Sequence, residues 1–418
     1  MNTIFVFLIS FSVFTFTISE NLHPIIFVPG DGGSQVEAKL NKTSVVHYIC
    51  EKTSDYANIW LNIELLVPIV IDCFIDNLKL TYDNTTRTTK NSPGVDIRIP
   101  GFGSSEVVEW IDPSHASAGA YFKDIGNILV QDHGYVRNVS LRGAPYDFRK
   151  GPNELGDYFK QLKSLIEETY ILNNKQSVII IAHSMGAPLF LIFLHSQEQA
   201  WKDKYIKTFV TLAGAWGGSV KAIKVFAIGD DLGAFMLRQK ILREEQITSP
   251  SLSWLLPSSL FWKENEVLVQ TETKNYTVND YEEFFKDLQY PVGWEMRKDT
   301  QNYTLNFAAP GVEVHCLYGS NLPTVERLVY KPKKQVLSKF FRLNYKKSTV
   351  LDGSPTLING DGDGTVNLRS LEACKFWKDK QSQRVYSQKF PNAEHMLILS
   401  NPNVLSYITQ LVTKIGYS

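Results

Sequence analysis

Residues 178–195 constrain this chain more than any other stretch, because a β-branched run passes there through one polar turn into a second apolar run. Val178 to Ala182 is apolar and rich in Ile and Val, the mark of a strand buried on both faces of a parallel sheet. Pro188 to His195 continues as an apolar helix. Between them stands Ala182-His183-Ser184-Met185-Gly186. Small residues on either side of Ser184 let the strand turn sharply into the helix, where a bulky flank would collide with neighbouring elements. The turn lifts the serine hydroxyl out of the sheet and sets the positive end of the helix dipole beneath it. Pro188 falls in the first helical turn, whose amides have no intrahelical partner, so it removes no ladder bond.

This is a G-x-S-x-G nucleophile elbow with Ala in the first position, the signature of an α/β-hydrolase fold. The remaining pattern agrees. Ile25–Val28, Phe209–Ala213, Val312–Tyr318 and Val385–Phe390 read as further strands, and Leu155–Leu172 and Val404–Ile415 as helices. Strands alternating with helices predict a mostly parallel central sheet covered on both faces. Gly143–Pro152 reads as turn-rich, and about 220–310 loses the alternation and reads as an inserted cap or lid.

In this fold the acid and then the histidine follow the serine. Of eight histidines, only His195, His315 and His395 do so. His195 is carried away along the elbow helix, and His315 lies within a strand. His395 lies in a loop after the last strand, at the sheet edge where a base must stand. The acid must come from a loop at the same edge, and Asn359-Gly360-Asp361-Gly362-Asp363-Gly364-Thr365-Val366 offers both Asp361 and Asp363. A calcium loop is the rival reading. Glu372 holds its twelfth position, but the flanking helices and the other ligands do not fit. For an oxyanion hole, one donor is the Met185 amide. The other is expected from Pro29-Gly30-Asp31-Gly32-Gly33 after the first strand, with Asp31 the choice. No Gly-Lys-Ser/Thr follows, so this is not a phosphate-binding loop.

The chain has 418 residues, with Lys plus Arg and Asp plus Glu both at 43. That balance argues against nucleic acid, which needs a basic footprint. The apolar run Ile4–Ile18 is too short to span a bilayer comfortably, and residues 1–19 read as a secretory signal peptide, leaving 20–418 as the hydrolase domain. A short N-terminal anchor is the alternative. Export agrees with five glycosylation sequons, at Asn41, Asn84, Asn138, Asn275 and Asn302. It also agrees with an even set of cysteines, Cys50, Cys73, Cys316 and Cys374. Three pairings are open, of which the local one is simplest, and no C-x-x-C spacing suggests a metal.

With these residues in place, the chain resembles the lecithin:cholesterol acyltransferase family, and within it the lysosomal (group XV) phospholipase A2 or acylceramide synthase branch. The resemblance runs from about His23 to the C-terminus. It rests on Val28-Pro29-Gly30-Asp31, Val45-Val46-His47-Tyr48, Pro100-Gly101-Phe102-Gly103, Arg142-Gly143-Ala144-Pro145-Tyr146-Asp147, the elbow, Trp216-Gly217-Gly218 and the Gly360–Asn367 loop. It implies a Ser184–Asp363–His395 triad, an oxyanion hole at Asp31 and Met185, and disulfides Cys50–Cys73 and Cys316–Cys374. It also implies a membrane-binding subdomain at about 50–90, matching the apolar Trp60, Leu61, Leu65 and Leu66, and a lid near Gly229 to Thr248. The implied activity is calcium-independent and cofactor-free. It removes an acyl chain from a phospholipid and passes it to water or a lipid alcohol such as ceramide, in a monomer of the lysosome or the extracellular space. Ala187-Pro188 departs from the branch, where relatives carry Asn-Met. A neutral-lipid or sterol-ester lipase on the same scaffold, and an inactive lipid carrier, are the other readings. Ordinary core is the alternative reading of the run Trp60–Ile75.

Overall fold

A computed structural model describes residues 22–67, 70–231, 239–331 and 351–416. The proposed signal segment lies outside the described residues. Six strands form the central sheet, in the order Val385–Pro391, Val314–Ser320, Ile206–Leu212, Val178–His183, Ile25–Val28 and Leu141–Gly143. Every pairing in it is parallel. The alternation of a strand sends successive side chains to opposite faces, and both faces are buried. Ile26, Val178, Ile180 and Ala182 join one core with helices Gly156–Leu172 and Gly186–His195. Ile25, Phe27, Ile179 and Ile181 join the other with helices Lys123–His133 and Pro402–Gly416. This is the α/β-hydrolase architecture.

Leu141–Gly143, which ends where the turn-rich Gly143–Pro152 begins, proves to be the edge strand. Its three residues are too few to show a period. The cap also differs from the sequence reading. Helices Val220–Ile228, Tyr281–Asp287 and Val292–Thr300 share a core with Leu328, Tyr330 and Leu351. A second sheet pairs Leu322–Val329 with Thr356–Gly362, so this unit extends well past residue 310. Of the lid segment, residues 232–238 lie outside the described residues, and helix Gln239–Gln246 packs against helix Ile71–Leu78.

The run Trp60–Ile75 is not one surface helix. Trp60 ends a strand, Ile63–Leu66 is a short 3-10 turn, and Ile71–Leu78 is a helix with Phe74, Ile75 and Leu78 in the core. Leu66 is only 9% exposed, and Trp60, Leu61 and Leu65 are half-buried against the core. Apolar character marks burial in protein as readily as burial in lipid. Among the described residues, the exposed large apolar side chains in and just before this unit are Val46, Tyr48, Ile49 and Val67. Both disulfides take the local pairing, Cys50–Cys73 and Cys316–Cys374. All five sequon asparagines are exposed.

Phe190 of the elbow helix is fully buried against Phe193 and Phe209. Phe190→Ala should cost about 3–5 kcal/mol through lost contacts and a cavity. A lowered thermal midpoint by circular dichroism checks this; an unchanged one would mean the helix is not anchored there.

Candidate active site

Ser184 follows the buried strand Val178–His183 at φ 52°, and the helix begins at Gly186. Its amide donates to Leu212 O, and its carbonyl accepts from the Ala187 and Ala215 amides. The small flanks are required by contact. A methyl at Gly186 would overlap the Pro29 carbonyl, and one at Gly30 would stand 2.7 Å from Ser184 Cβ. The glycine-rich loop therefore lies directly on the elbow.

The three sequence-predicted residues meet. Ser184 Oγ lies 2.9 Å from His395 Nε2, and His395 Nδ1 lies 2.7 Å from Asp363 Oδ2. With Asp363 accepting at Nδ1, the imidazole presents Nε2 as the acceptor for the serine proton. Asp363 is fully buried, and its other oxygen accepts the Thr365 and Val366 amides at 3.0 and 2.7 Å. Asp361 is exposed and accepts instead from the Asn321 amide. Gly360 and Gly362 do not form a loop but lie in strand Thr356–Gly362, where side chains would strike Glu326 and Val366. The turn begins at Asp363. His195 donates to Ala308 O and His315 bonds Tyr407, both away from the serine.

In the glycine-rich loop the Gly30 amide donates to the Tyr121 hydroxyl, and the Gly33 amide to Gly30 O. Neither of these two amides is available to an oxyanion. Tyr146 binds the loop twice, donating its hydroxyl to Pro29 O and its amide to Ser34 Oγ. Trp60 donates its indole N–H to Gly32 O at 2.7 Å and packs against Gly32. Trp60 thus supports the oxyanion loop, a role that its apolar character alone did not signal. Tyr121 was also missed, since nothing local distinguishes it.

Asp31 lies in a recess, open to solvent on one side yet crowded by protein. That crowding pushes its carboxyl up to about 6, with Lys221 pulling the other way. Burial likewise pushes Glu245 up to about 8, against the pull of Arg149. Beside the elbow, Pro188, Leu191, Trp216, Trp254, Leu255 and Phe307 line a narrow apolar crevice. Pro188 thus stands in its wall.

The family model Lecithin:cholesterol acyltransferase matches residues 56–402. The chain belongs to the lecithin:cholesterol acyltransferase family. A human family member described as lysosomal phospholipase A and acyltransferase is 44% identical, covering 93% of this chain and 90% of its own. A chicken phosphatidylcholine-sterol acyltransferase is 42% identical over 90% of this chain and 87% of its own. The solved Tle4–Tli4 complex shares the fold at 13% identity, with a TM-score of 0.54 over 94% of this chain and 98% of that one.

Below pH about 6 the Asp31 carboxyl is neutral; above it, the glycine-rich loop that lies on Ser184 carries an anion, which disfavours negative charge developing nearby. Charge on Asp31 should therefore slow acyl transfer as pH rises through that value. Asp31→Asn should raise the ratio of activity at pH 7.5 to that at pH 5. An unchanged ratio would clear Asp31 of any part in the pH dependence.

Proposed function

We propose that this protein is a serine phospholipase A and acyltransferase with Ser184 as nucleophile, His395 as base and Asp363 as its orienting acid. The observation that carries the reading is the unbroken pair of hydrogen bonds from Ser184 Oγ through His395 to Asp363, at 2.9 and 2.7 Å. Ser184 Oγ attacks the ester carbonyl as His395 Nε2 takes its proton. The oxyanion forms against the Asp31 and Met185 amides. The C–O bond to the glycerol breaks, and His395 returns the proton to the departing lysophospholipid oxygen. Water or a lipid alcohol then attacks the acyl-Ser184 ester, giving its proton to His395 and regenerating the serine. All of this proceeds without calcium. A sterol-directed reading is favoured by the similarity to phosphatidylcholine-sterol acyltransferases.

The family acts on lipids, and this chain meets them at a membrane surface, as an exported, glycosylated monomer of the lysosome or the extracellular space. The segment around the Cys50–Cys73 disulfide carries the lipid-facing tip, with Tyr48 89% and Val46 54% exposed just before it and Val67 47% exposed within its loop. Apolar side chains of this kind enter the headgroup boundary and bring the serine to its substrate.

Phosphatidylcholine liposomes with and without ceramide, scored for free fatty acid, acylceramide and sterol ester, test the activity. Ser184→Ala should remove all acyl products, and any retained turnover would end the triad reading. Replacing Val46 and Tyr48 with Ser should lower the rate on liposomes several-fold while sparing a soluble ester. Trp60→Ser should impair both substrates, because the loop at Gly32 loses its support. Equal effects of the two changes would place the membrane contact elsewhere.

A further inference from the structure

His183 precedes the nucleophile and is enclosed in protein, 1% exposed. Both of its ring nitrogens have partners. Nε2 lies 2.9 Å from the His395 carbonyl oxygen, which can only accept, so Nε2 carries the proton. Nδ1 of the neutral ring is then an acceptor, and the Tyr121 hydroxyl at 2.5 Å donates to it. With its own proton committed, the Tyr121 oxygen accepts from the Gly30 amide at 2.9 Å. The four groups form a chain with one direction, from the Gly30 N–H through Tyr121 and His183 to the His395 carbonyl. The His395 amide in turn donates to Asp363 O at 2.9 Å. The backbone of the base is therefore held on both sides.

We propose that Tyr121 and His183 are positioning residues: their hydrogen-bond chain crosses the core beneath Ser184 and fixes the oxyanion loop and the base in one register. The proposal rests on the triad reading above. Neither side chain need touch substrate. Both ends of the chain bear on groups whose placement sets the rate, and a shift of about 1 Å in such groups can cost roughly 10²-fold. Burial favours the neutral imidazole. Its ring centroid lies 4.9 Å from that of His395, so a neutral His183 adds no positive charge beside the imidazolium that catalysis creates. The Tyr121 ring also packs on Gly33, which a phenylalanine would preserve.

The test measures kcat and KM on p-nitrophenyl butyrate for the wild type, Tyr121→Phe, His183→Phe, His183→Gln and Ser184→Ala. Tyr121→Phe should lower kcat about tenfold with KM held within about twofold, since it removes both bonds of the Tyr121 hydroxyl, to Gly30 and to His183, and no packing. His183→Phe should lower kcat by roughly 10²-fold. His183→Gln, whose amide can still donate toward the His395 carbonyl, should recover much of that loss. Wild-type kcat in Tyr121→Phe, or a glutamine variant no better than the phenylalanine one, overturns the proposal. Should His183→Phe fail to fold, Tyr121→Phe decides alone. Turnover by Ser184→Ala would instead overturn the triad, so the two failures read differently.

Discussion

Ser184 sits at φ 52°, in the left-handed region that a side-chain-bearing residue enters at a cost of roughly 1–3 kcal/mol. The rest of the site exists to hold that angle. The parallel strand beneath it is buried along its whole length, the Leu212 carbonyl takes the serine amide, and the Ala187 and Ala215 amides take its carbonyl. Gly30 and Gly186 admit neighbouring backbone so closely that a methyl at either position would collide. A hydroxyl perched this way is exposed to the imidazole yet cannot relax into the sheet. Core rigidity is therefore the source of the site's geometry, and the loops supply only the other partners.

How much of this could be read from the sequence depended on how local each signal was. The elbow was legible because strand, turn and helix are contiguous and each has its own pattern. His395 was legible by elimination, as the one later histidine in a loop at the sheet edge. Asp363 and Asp361 were not separable by residue type. What separates them is burial and two amide donors, which depend on the turn that starts at Asp363 rather than at Gly360. Tyr121 had no local signature at all, because its partners lie at positions 30 and 183. The Trp60 run failed for a different reason. Hydropathy measures what leaves water, and a core and a bilayer look alike to it. Only the half-buried ring over Gly32 and the buried Leu66 distinguish them.

The family resemblance acquires a physical meaning once its motifs are placed together. The Pro29–Gly33 loop is bound by Tyr146 from the Arg142–Asp147 stretch. Arg142 of that stretch donates to Gly103 O of the Pro100–Gly103 stretch, at 2.6 Å. Asn367, at the end of the acid loop, accepts the Val220 amide just past Trp216–Gly218. Segments far apart in sequence are thus mutual hydrogen-bond partners around one turn. A change in any of them would leave a buried donor or acceptor unmatched, which costs more than the bond itself contributed.

Whether the acyl group ends on water or on a lipid alcohol is not written in the triad, whose chemistry is the same for both. The competition is settled by which nucleophile reaches the acyl-Ser184 ester at the higher effective concentration. An alcohol confined to a bilayer is concentrated at the surface where the enzyme works, whereas water must enter past the acyl chain itself. An acyl chain laid against the apolar side chains beside the elbow, Trp216, Trp254 and Phe307 among them, would dry the site. Drying strengthens the hydrogen bonds at Asp31 and Met185 for either acceptor. Transfer can therefore be favoured over hydrolysis without altering a single catalytic group, by the access each acceptor has to the acyl ester.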